Sequence, residues 1–381
     1  MMWPALVLLL LVARVASTDT PVQAENVCRE RLSDSDETTQ VVVCRYHFLF
    51  VGGMPHSGTS FLNYLLQQEF EPWLSGHHFD RAVNDEGQWL QTVYKRSGGS
   101  CQWAFDPELR LTGKSDLISS VSRAAIFSRW GDHWNLSKPV LLEKTPQNIM
   151  KMQFLQAMFP RASFIMIVRH PLATHKHWMK TWNCAPARCY VQAMINSLDH
   201  WLYLHYSLRA DLADVRDHTI VQYEHFAANH MQYMANFEEH LRNAVGLPPI
   251  HNFKLSVSET GARRRLGYRG KISEIRVESS KTREKWIKVW DAVEWTSWKN
   301  TTRALDSYGP LVGEFGYSLR RLGKIDNDKF RRTFRSASNF SDSAFWANLP
   351  RGWSHSLHNT PHAHLHRNTP CDGRVINTPQ Y

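Results

Sequence analysis

The feature that most constrains the fold of this chain is a pair of apolar segments joined by a glycine-rich turn near the N-terminus. The run Tyr-His-Phe-Leu-Phe-Val at 46–51 predicts a buried β-strand. In 61–66 the apolar positions have the spacing of a helix packed on a sheet. Between them lies Gly52-Gly53-Met54-Pro55-His56-Ser57-Gly58-Thr59-Ser60. A strand, a glycine turn and a helix in this order direct backbone N–H groups and a helix N-terminus at one anion.

The turn has the spacing of a triphosphate-binding loop but lacks its lysine. From Gly53 the pattern is G-x-x-x-x-G, and Thr59 stands where a Walker A loop has lysine. In triphosphatases that lysine reaches the β- and γ-phosphates. The turn therefore suits a single 5′-phosphate group better than a triphosphate. A serine-hydrolase elbow at Ser57 is excluded, because it needs glycine at position 55, which is proline.

Strands and helices alternate along the rest of the chain. The patterns predict further strands at 139–142, 162–168 and 219–224, and helices at 118–135, 148–159 and 190–212. This alternation predicts a P-loop-like three-layer α/β fold, a parallel sheet with helices on both faces. In such sheets ligands bind beyond the carboxyl ends of the strands. We predict one domain over 46–322, after a loose lead-in (18–45) and before an irregular, polar, His-rich tail (323–381).

The N-terminus has the pattern of a secretory signal peptide. An apolar core at 3–13 precedes a small-residue cleavage site, and we assign 1–17 to this segment. It is short for a membrane span, although an uncleaved anchor stays open. Three N-glycosylation sequons begin at Asn135, Asn300 and Asn339. The six cysteines suit an oxidising compartment, and Cys184–Cys189 is the first predicted pair because it brackets a proline-containing turn.

The chain carries a formal net charge of +10 at neutral pH, which predicts an anionic ligand, acceptor or membrane surface. Nucleic acid is not an expected partner, because no zinc finger, ribonucleoprotein motif or basic heptad accompanies the charge. A metal is not expected either. The cysteines lack paired C-x-x-C spacing, and the histidines of the tail lack a regular one.

Three motifs occur in a fixed order. The first is Pro55-x-Ser57-Gly58-Thr59-Ser60, the second is Lys144-Thr145-Pro146 with a following Phe159-Pro160-x-Ala162-x-Phe164-Ile165, and the third is Val168-Arg169-His170-Pro171. Together they resemble the sulfotransferases that use 3′-phosphoadenosine 5′-phosphosulfate, especially the Golgi and bacterial enzymes directed at carbohydrate or tyrosine. The resemblance covers about 46–322. It implies transfer without a metal and, with the signal peptide, a location in the Golgi lumen or outside the cell.

The resemblance assigns roles to individual residues. It implies that the loop binds the 5′-phosphosulfate and that Arg169 grips the 3′-phosphate, as suits an arginine at a strand end. Tyr223 would lie near the adenine or the donor's 3′ side, although a core tyrosine is equally compatible. Lys144 could place its ammonium on the transferring sulfuryl oxygens. The loop set is Pro55, His56, Ser57, Gly58, Thr59 and Ser60.

Two positions depart from the family pattern. Position 56 is usually basic; His56 could replace that charge when protonated, or act as a general acid, so that activity would rise as pH falls. The hydroxyl expected near position 177 is also missing. His177 itself, Thr174 or Ser197 would have to contact the 3′-phosphate. These departures leave a donor-binding pseudoenzyme open as an alternative.

A general base must deprotonate the acceptor hydroxyl. We predict Glu86 for this role, with Asp85 second and His77, His78 and Asp80 as further candidates. The predicted catalytic set is therefore Glu86, His56 and Lys144. The predicted reaction is in-line transfer of a sulfuryl group to an acceptor hydroxyl. With fifteen tryptophans available to stack on sugars, a glycan acceptor, anionic in character, is favoured over peptide tyrosine. A nucleotide or sugar kinase is the remaining alternative.

Overall fold

The computed structural model describes residues 21–77, 86–97, 103–175, 190–247, 298–320 and 325–335. Within these ranges five strands form one parallel sheet in the order β2-β3-β1-β4-β5. The strands are β1 His47–Gly53, β2 Leu74–Gly76, β3 Val140–Lys144, β4 Ala162–Val168 and β5 His218–Gln222. The predicted α/β fold with a central parallel sheet is confirmed.

Helices cover both faces of the sheet. They are α1 Pro21–Arg31, α2 Glu37–Arg45, α3 Thr59–Glu69, α4 Gly87–Leu90, α5 Ser120–Gly131, α6 Met152–Met158, α7 Tyr190–Asp211, α8 Tyr223–Val245, α9 Trp298–Glu314 and α10 Asn327–Arg335. Short 3₁₀ turns occur at Trp103–Phe105, Pro107–Leu109 and Pro146–Met150. Alternate residues of β1 divide the core: Leu49 and Val51 face α3 and α8, whereas Phe48 and Phe50 face α5, α6 and α7.

The strand register brings the functional segments to one edge of the sheet. Val51 of β1 pairs with Lys144 of β3, and Gly53 pairs with Ile167 of β4. The glycine turn, Lys144 and the residues after Val168 therefore all emerge at the carboxyl ends of adjacent strands. This is the edge at which ligands bind in parallel sheets.

Two predicted boundaries differ from the structure. The helix predicted at 148–159 is a 3₁₀ turn followed by α6, because Lys151 between them has a φ of −133°, outside the helical region. The strand predicted at 219–224 ends at Gln222, and Tyr223 is the first residue of α8. The β-branched run stops at Val221, so strand propensity ends where the helix begins.

The predicted lead-in is instead ordered. α1 and α2 form a helical pair closed by a Cys28–Cys44 disulfide, and Leu32 and Val43 lie in the main core. The segment is largely polar up to residue 40, and the following run Val-Val-Val-Cys at 41–44 is continuous and mostly β-branched, so the pattern does not have the period of a helix. The disulfide fixes the pair by a covalent bond.

The tail is predicted to begin at residue 323, but the ordered domain continues beyond that residue. α10 places Phe330 and Phe334 in the core, and the Phe334 ring lies 5.7 Å from that of Phe315. The domain therefore extends past 322. The signal segment and the Cys184–Cys189 pair lie outside the described residues. Across the described ranges, no helix combines the length and apolarity that crossing a bilayer requires.

Candidate functional site

Two glycines give the loop after β1 its shape. Gly53 has a φ of 153°, and a Cβ there would meet the Ile167 carbonyl oxygen at 2.5 Å. Gly58 has a φ of 107°, and a Cβ would meet two ring carbons of Tyr223 at 2.6 Å. His56 between them also has a left-handed φ, of 66°. Larger residues at the glycines would strain the backbone and strike neighbours, which explains the glycine spacing of the motif.

The loop presents hydrogen-bond donors that suit an anion. Ser57 is fully buried, and its Oγ has no hydrogen-bond partner among the described residues. Helix α3 begins at Thr59, and the N–H groups of its first turn have no carbonyl partner within the helix. A buried hydroxyl without a partner costs free energy unless a ligand satisfies it. These donors fit the phosphate end of a bound donor substrate.

Arg169 follows β4 and lies against this loop. Its Nη1 donates to the His56 carbonyl oxygen at 2.9 Å, and its guanidinium carbon lies 4.1 Å from the centroid of the Tyr223 ring. Its Nε is buried and has no protein partner in the described part of the chain. Tyr223 thus lies between Gly58 and Arg169, while the Nε side of the guanidinium remains for an anion.

Glu224 fixes the turn that carries Arg169, a role that sequence reasoning missed. One carboxylate oxygen accepts from the His170 N–H at 2.8 Å, and the other accepts from the Tyr317 hydroxyl at 3.0 Å. Burial raises the pKa of Glu224. The Tyr-Glu dipeptide directly after an apolar strand is the signal that could have pointed to this role.

The predicted catalytic pair comes together in the structure. Lys144, the last residue of β3, is 3% exposed, and its Nζ lies 3.3 Å from Glu86 Oε1. Glu86 directly precedes α4. Loss of either partner would leave the other charge buried and unpaired, which costs free energy. The ion pair therefore keeps both side chains at this edge of the sheet.

Glu143 is a site residue that sequence reasoning missed. It is fully buried, and its carboxylate accepts from the Gly87 N–H at 2.8 Å, the Thr145 hydroxyl and the Asn148 amide. Burial raises its pKa. A Cβ at Gly87 would lie 2.8 Å from the Glu143 carboxylate, so glycine is needed there. In the sequence Glu143 is a polar residue near the end of an apolar strand, and nothing in that local pattern indicates its contact with Gly87, 56 residues away.

The structure does not support a protonated His56 near neutral pH. Burial, with the adjacent Arg169 charge, lowers the pKa of His56 to about 4. The structure therefore does not support the expected rise of activity as pH falls toward the usual imidazole range. A neutral imidazole can still donate one hydrogen bond.

Three of the remaining predicted site residues lie within the described ranges, and four lie outside them. The Thr174 hydroxyl donates to the Pro171 carbonyl oxygen at 2.8 Å, so its proton is already used within the turn. Ser197 on α7 is buried, and its hydroxyl has no partner in the part of the chain that is described. His77 is buried and packs against Trp134 at 4.9 Å between ring centroids. The predicted residues outside the described ranges are His78, Asp80, Asp85 and His177.

These features define an α/β protein of P-loop-like architecture with a lysine-free glycine loop after β1 and an arginine directly after the neighbouring strand β4. The profile of the sulfotransferase family matches residues 49–245, more than half of the chain. The chain therefore belongs to the sulfotransferase family, which confirms the resemblance drawn from its motifs.

Individual relatives are more distant. Nodulation protein NoeE of Sinorhizobium fredii (strain NBRC 101917 / NGR234) is 29% identical over 140 residues, which span 35% of this chain and 31% of NoeE. Sulfotransferase STF1 from Mycobacterium tuberculosis H37Rv is 13% identical with a TM-score of 0.37, covering 68% of this chain and 82% of that one. The sulfotransferase domain from the curacin biosynthetic pathway is 14% identical with a TM-score of 0.30, covering 62% and 98%. The family assignment does not depend on these likenesses.

Proposed function

We propose that this protein moves the sulfuryl group of 3′-phosphoadenosine 5′-phosphosulfate in line to an acceptor hydroxyl. The observation that carries the proposal is the Lys144–Glu86 pair, 3.3 Å apart, at the same sheet edge as the glycine loop and Arg169. Such an edge offers an anion-binding loop, a cation and a carboxylate within one region. These are the groups that transfer from a phosphosulfate requires.

The residues divide the reaction between them. Glu86 takes the proton of the acceptor hydroxyl while the acceptor oxygen forms a bond to sulfur. The bond from sulfur to the bridging oxygen breaks, and its electron pair leaves with adenosine 3′,5′-bisphosphate. The Lys144 ammonium stabilises charge on the sulfuryl oxygens, and the loop donors, with Ser57, stabilise the departing phosphate. Because His56 is neutral, it donates a hydrogen bond to the departing phosphate and supplies no positive charge.

The donor assignment rests on the shape of the loop and on Arg169. Thr59 replaces the lysine that a triphosphate needs, which disfavours a kinase. The Ser57 hydroxyl and the Arg169 Nε are buried and have no hydrogen-bond partner among the described residues, which supports an anionic donor. The assignment of Arg169 to the 3′-phosphate follows the resemblance to the sulfotransferase motifs.

The acceptor and the location are part of the proposal. A net charge of +10 and the many tryptophans support an anionic glycan acceptor. The buried Cys28–Cys44 disulfide and the exposed sequon at Asn135 support the secretory pathway, in the Golgi lumen or outside the cell.

Two measurements test the function. Thermal unfolding with adenosine 3′,5′-bisphosphate or with ATP and magnesium comes first; stabilisation by the bisphosphate alone is expected, and stabilisation by ATP alone would favour a kinase. Transfer of labelled sulfate to a panel of glycans, tyrosine peptides and lipids comes second. Glu86→Gln should abolish transfer, whereas Glu108→Gln, in an exposed ion pair with Lys95, should not. Donor binding without transfer to any acceptor would indicate a pseudoenzyme.

A further inference from the structure

A buried amide lies beside the predicted base. Gln88 is 1% exposed, and its Nε2 donates to Glu86 Oε2 at 2.7 Å and to Gln147 Oε1 at 3.1 Å. Its Oε1 accepts from the Ser97 N–H at 3.2 Å. A flipped amide would set its oxygen against the Glu86 carboxylate and its NH₂ against the Ser97 N–H. The contacts therefore permit one orientation, with the amide nitrogen toward Glu86.

The two oxygens of Glu86 have different partners. Oε1 lies against the Lys144 ammonium, and Oε2 accepts from Gln88. The main chain next to Glu86 is held separately, because the Gly87 N–H donates to buried Glu143. Glu143 thus fixes where the backbone lies, and Gln88 fixes how the Glu86 carboxylate is turned.

We propose that Gln88 is a positioning residue for sulfuryl transfer, orienting the Glu86 carboxylate toward the acceptor hydroxyl. The proposal rests on the role of Glu86 as the base. Loss of the Gln88 amide removes the hydrogen bond to Oε2, the oxygen other than the one that faces Lys144, and so weakens the hold on the orientation of the carboxylate. Small errors in the position of a reacting group cost large factors in rate. We expect loss of Gln88 to lower kcat roughly ten- to a hundredfold and to leave the donor KM within about twofold.

Gln91 provides a matched control. It lies in the same segment, is also 1% exposed, and its amide bonds to the backbone of Gln88, Val93 and Tyr94. Gln88→Met and Gln91→Met remove equivalent buried amides from the same segment, and both should lower the thermal unfolding temperature. Only Gln88→Met should lower kcat, measured well below that temperature. Should Gln88→Met not fold, Gln88→Asn, whose amide is one methylene too short to reach Glu86, is expected to show the same loss.

The results separate this proposal from the function on which it rests. Turnover by Gln88→Met or Gln88→Asn within about twofold of wild type would overturn the positioning role, as would an equal loss in Gln91→Met. Glu86→Gln, run beside them, tests the base itself. If Glu86→Gln keeps its turnover, the assignment of Glu86 as the base fails, and if the wild type transfers no sulfate, the proposed function fails. The role of Gln88 fails in either case. If Glu86→Gln has no measurable turnover and Gln88→Met has wild-type turnover, only the positioning role of Gln88 is refuted.

Discussion

Gly58→Ala tests whether the loop, Tyr223 and Arg169 act as one donor-binding unit. Gly58 caps α3 with a φ of 107° and a ψ of 11°, a conformation that residues with a side chain rarely adopt. An added methyl would lie 2.6 Å from two Tyr223 ring carbons, well inside contact distance. The substitution therefore both strains the backbone and pushes the ring against which Arg169 stacks.

Both effects have known sizes. A residue held in an unfavourable backbone region costs about 1–3 kcal/mol, and forcing a methyl into a packed contact costs about 1–3 kcal/mol. We expect the free energy of unfolding to fall by about 2–4 kcal/mol, since the ring can move in part to relieve the contact. Because the Arg169 guanidinium lies 4.1 Å from the Tyr223 ring centroid, it moves with the ring. Affinity for adenosine 3′,5′-bisphosphate should fall about ten- to a hundredfold, or about 1.4–2.8 kcal/mol.

The assay is urea unfolding for stability and titration calorimetry for the bisphosphate. Gly313→Ala is the control, because Gly313 lies in α9 and a Cβ there meets nothing within 4 Å. Alanine should stabilise that helix by up to about 1 kcal/mol and leave the affinity unchanged. A Gly58→Ala protein with wild-type stability and affinity would refute the coupling of loop, ring and arginine.

Three further predictions follow from other parts of the structure. Arg169→Ala should weaken adenosine 3′,5′-bisphosphate binding about tenfold or more in calorimetry, because charge-assisted hydrogen bonds contribute about 1.5–3 kcal/mol; an unchanged Kd contradicts its role. Replacing Cys28 and Cys44 by alanine should cost about 3 kcal/mol in urea unfolding, since the disulfide joins residues 16 apart, and equal stability would show that packing alone holds α1 and α2. Burial lowers the pKa of His170 and of His205 to about 4, so the unfolded state binds more protons from about pH 6.5 down to 4. The free energy of unfolding should fall as pH falls through that window, and a flat urea-unfolding profile there would contradict it.

Local patterns in the sequence determined the scaffold, the glycine loop and the place of Arg169. The run at 162–168 predicted β4 residue for residue, because a strand buried on both faces is a near-continuous apolar run, here interrupted only by Ser163. The glycine loop could be predicted from the spacing of its glycines, since Gly53 and Gly58 have backbone conformations that residues with a side chain rarely adopt. Arg169 follows a strand end, so its position at the ligand edge followed from the parallel sheet. The helical lead-in and α10 escaped prediction, because the β-branched run at 41–43 is too short, and the two phenylalanines of α10 are too few, to give a clear helical period.

The surroundings of Glu86 and Lys144 were decided by tertiary structure. Glu86 was one acidic residue among several candidates until the fold placed its carboxylate 3.3 Å from Lys144, 58 residues further along the chain. Glu143 contacts the Gly87 N–H, 56 residues away. Gln88 beside Glu86 is also held by Gln147, 59 residues away. Such contacts leave no periodic trace in the sequence. The charge of His56 was decided in the same way, since burial beside Arg169 lowers its pKa. The sequence by itself specified a glycine loop without the Walker A lysine, whereas burial and long-range contacts decided which side chains surround it and in what charge state.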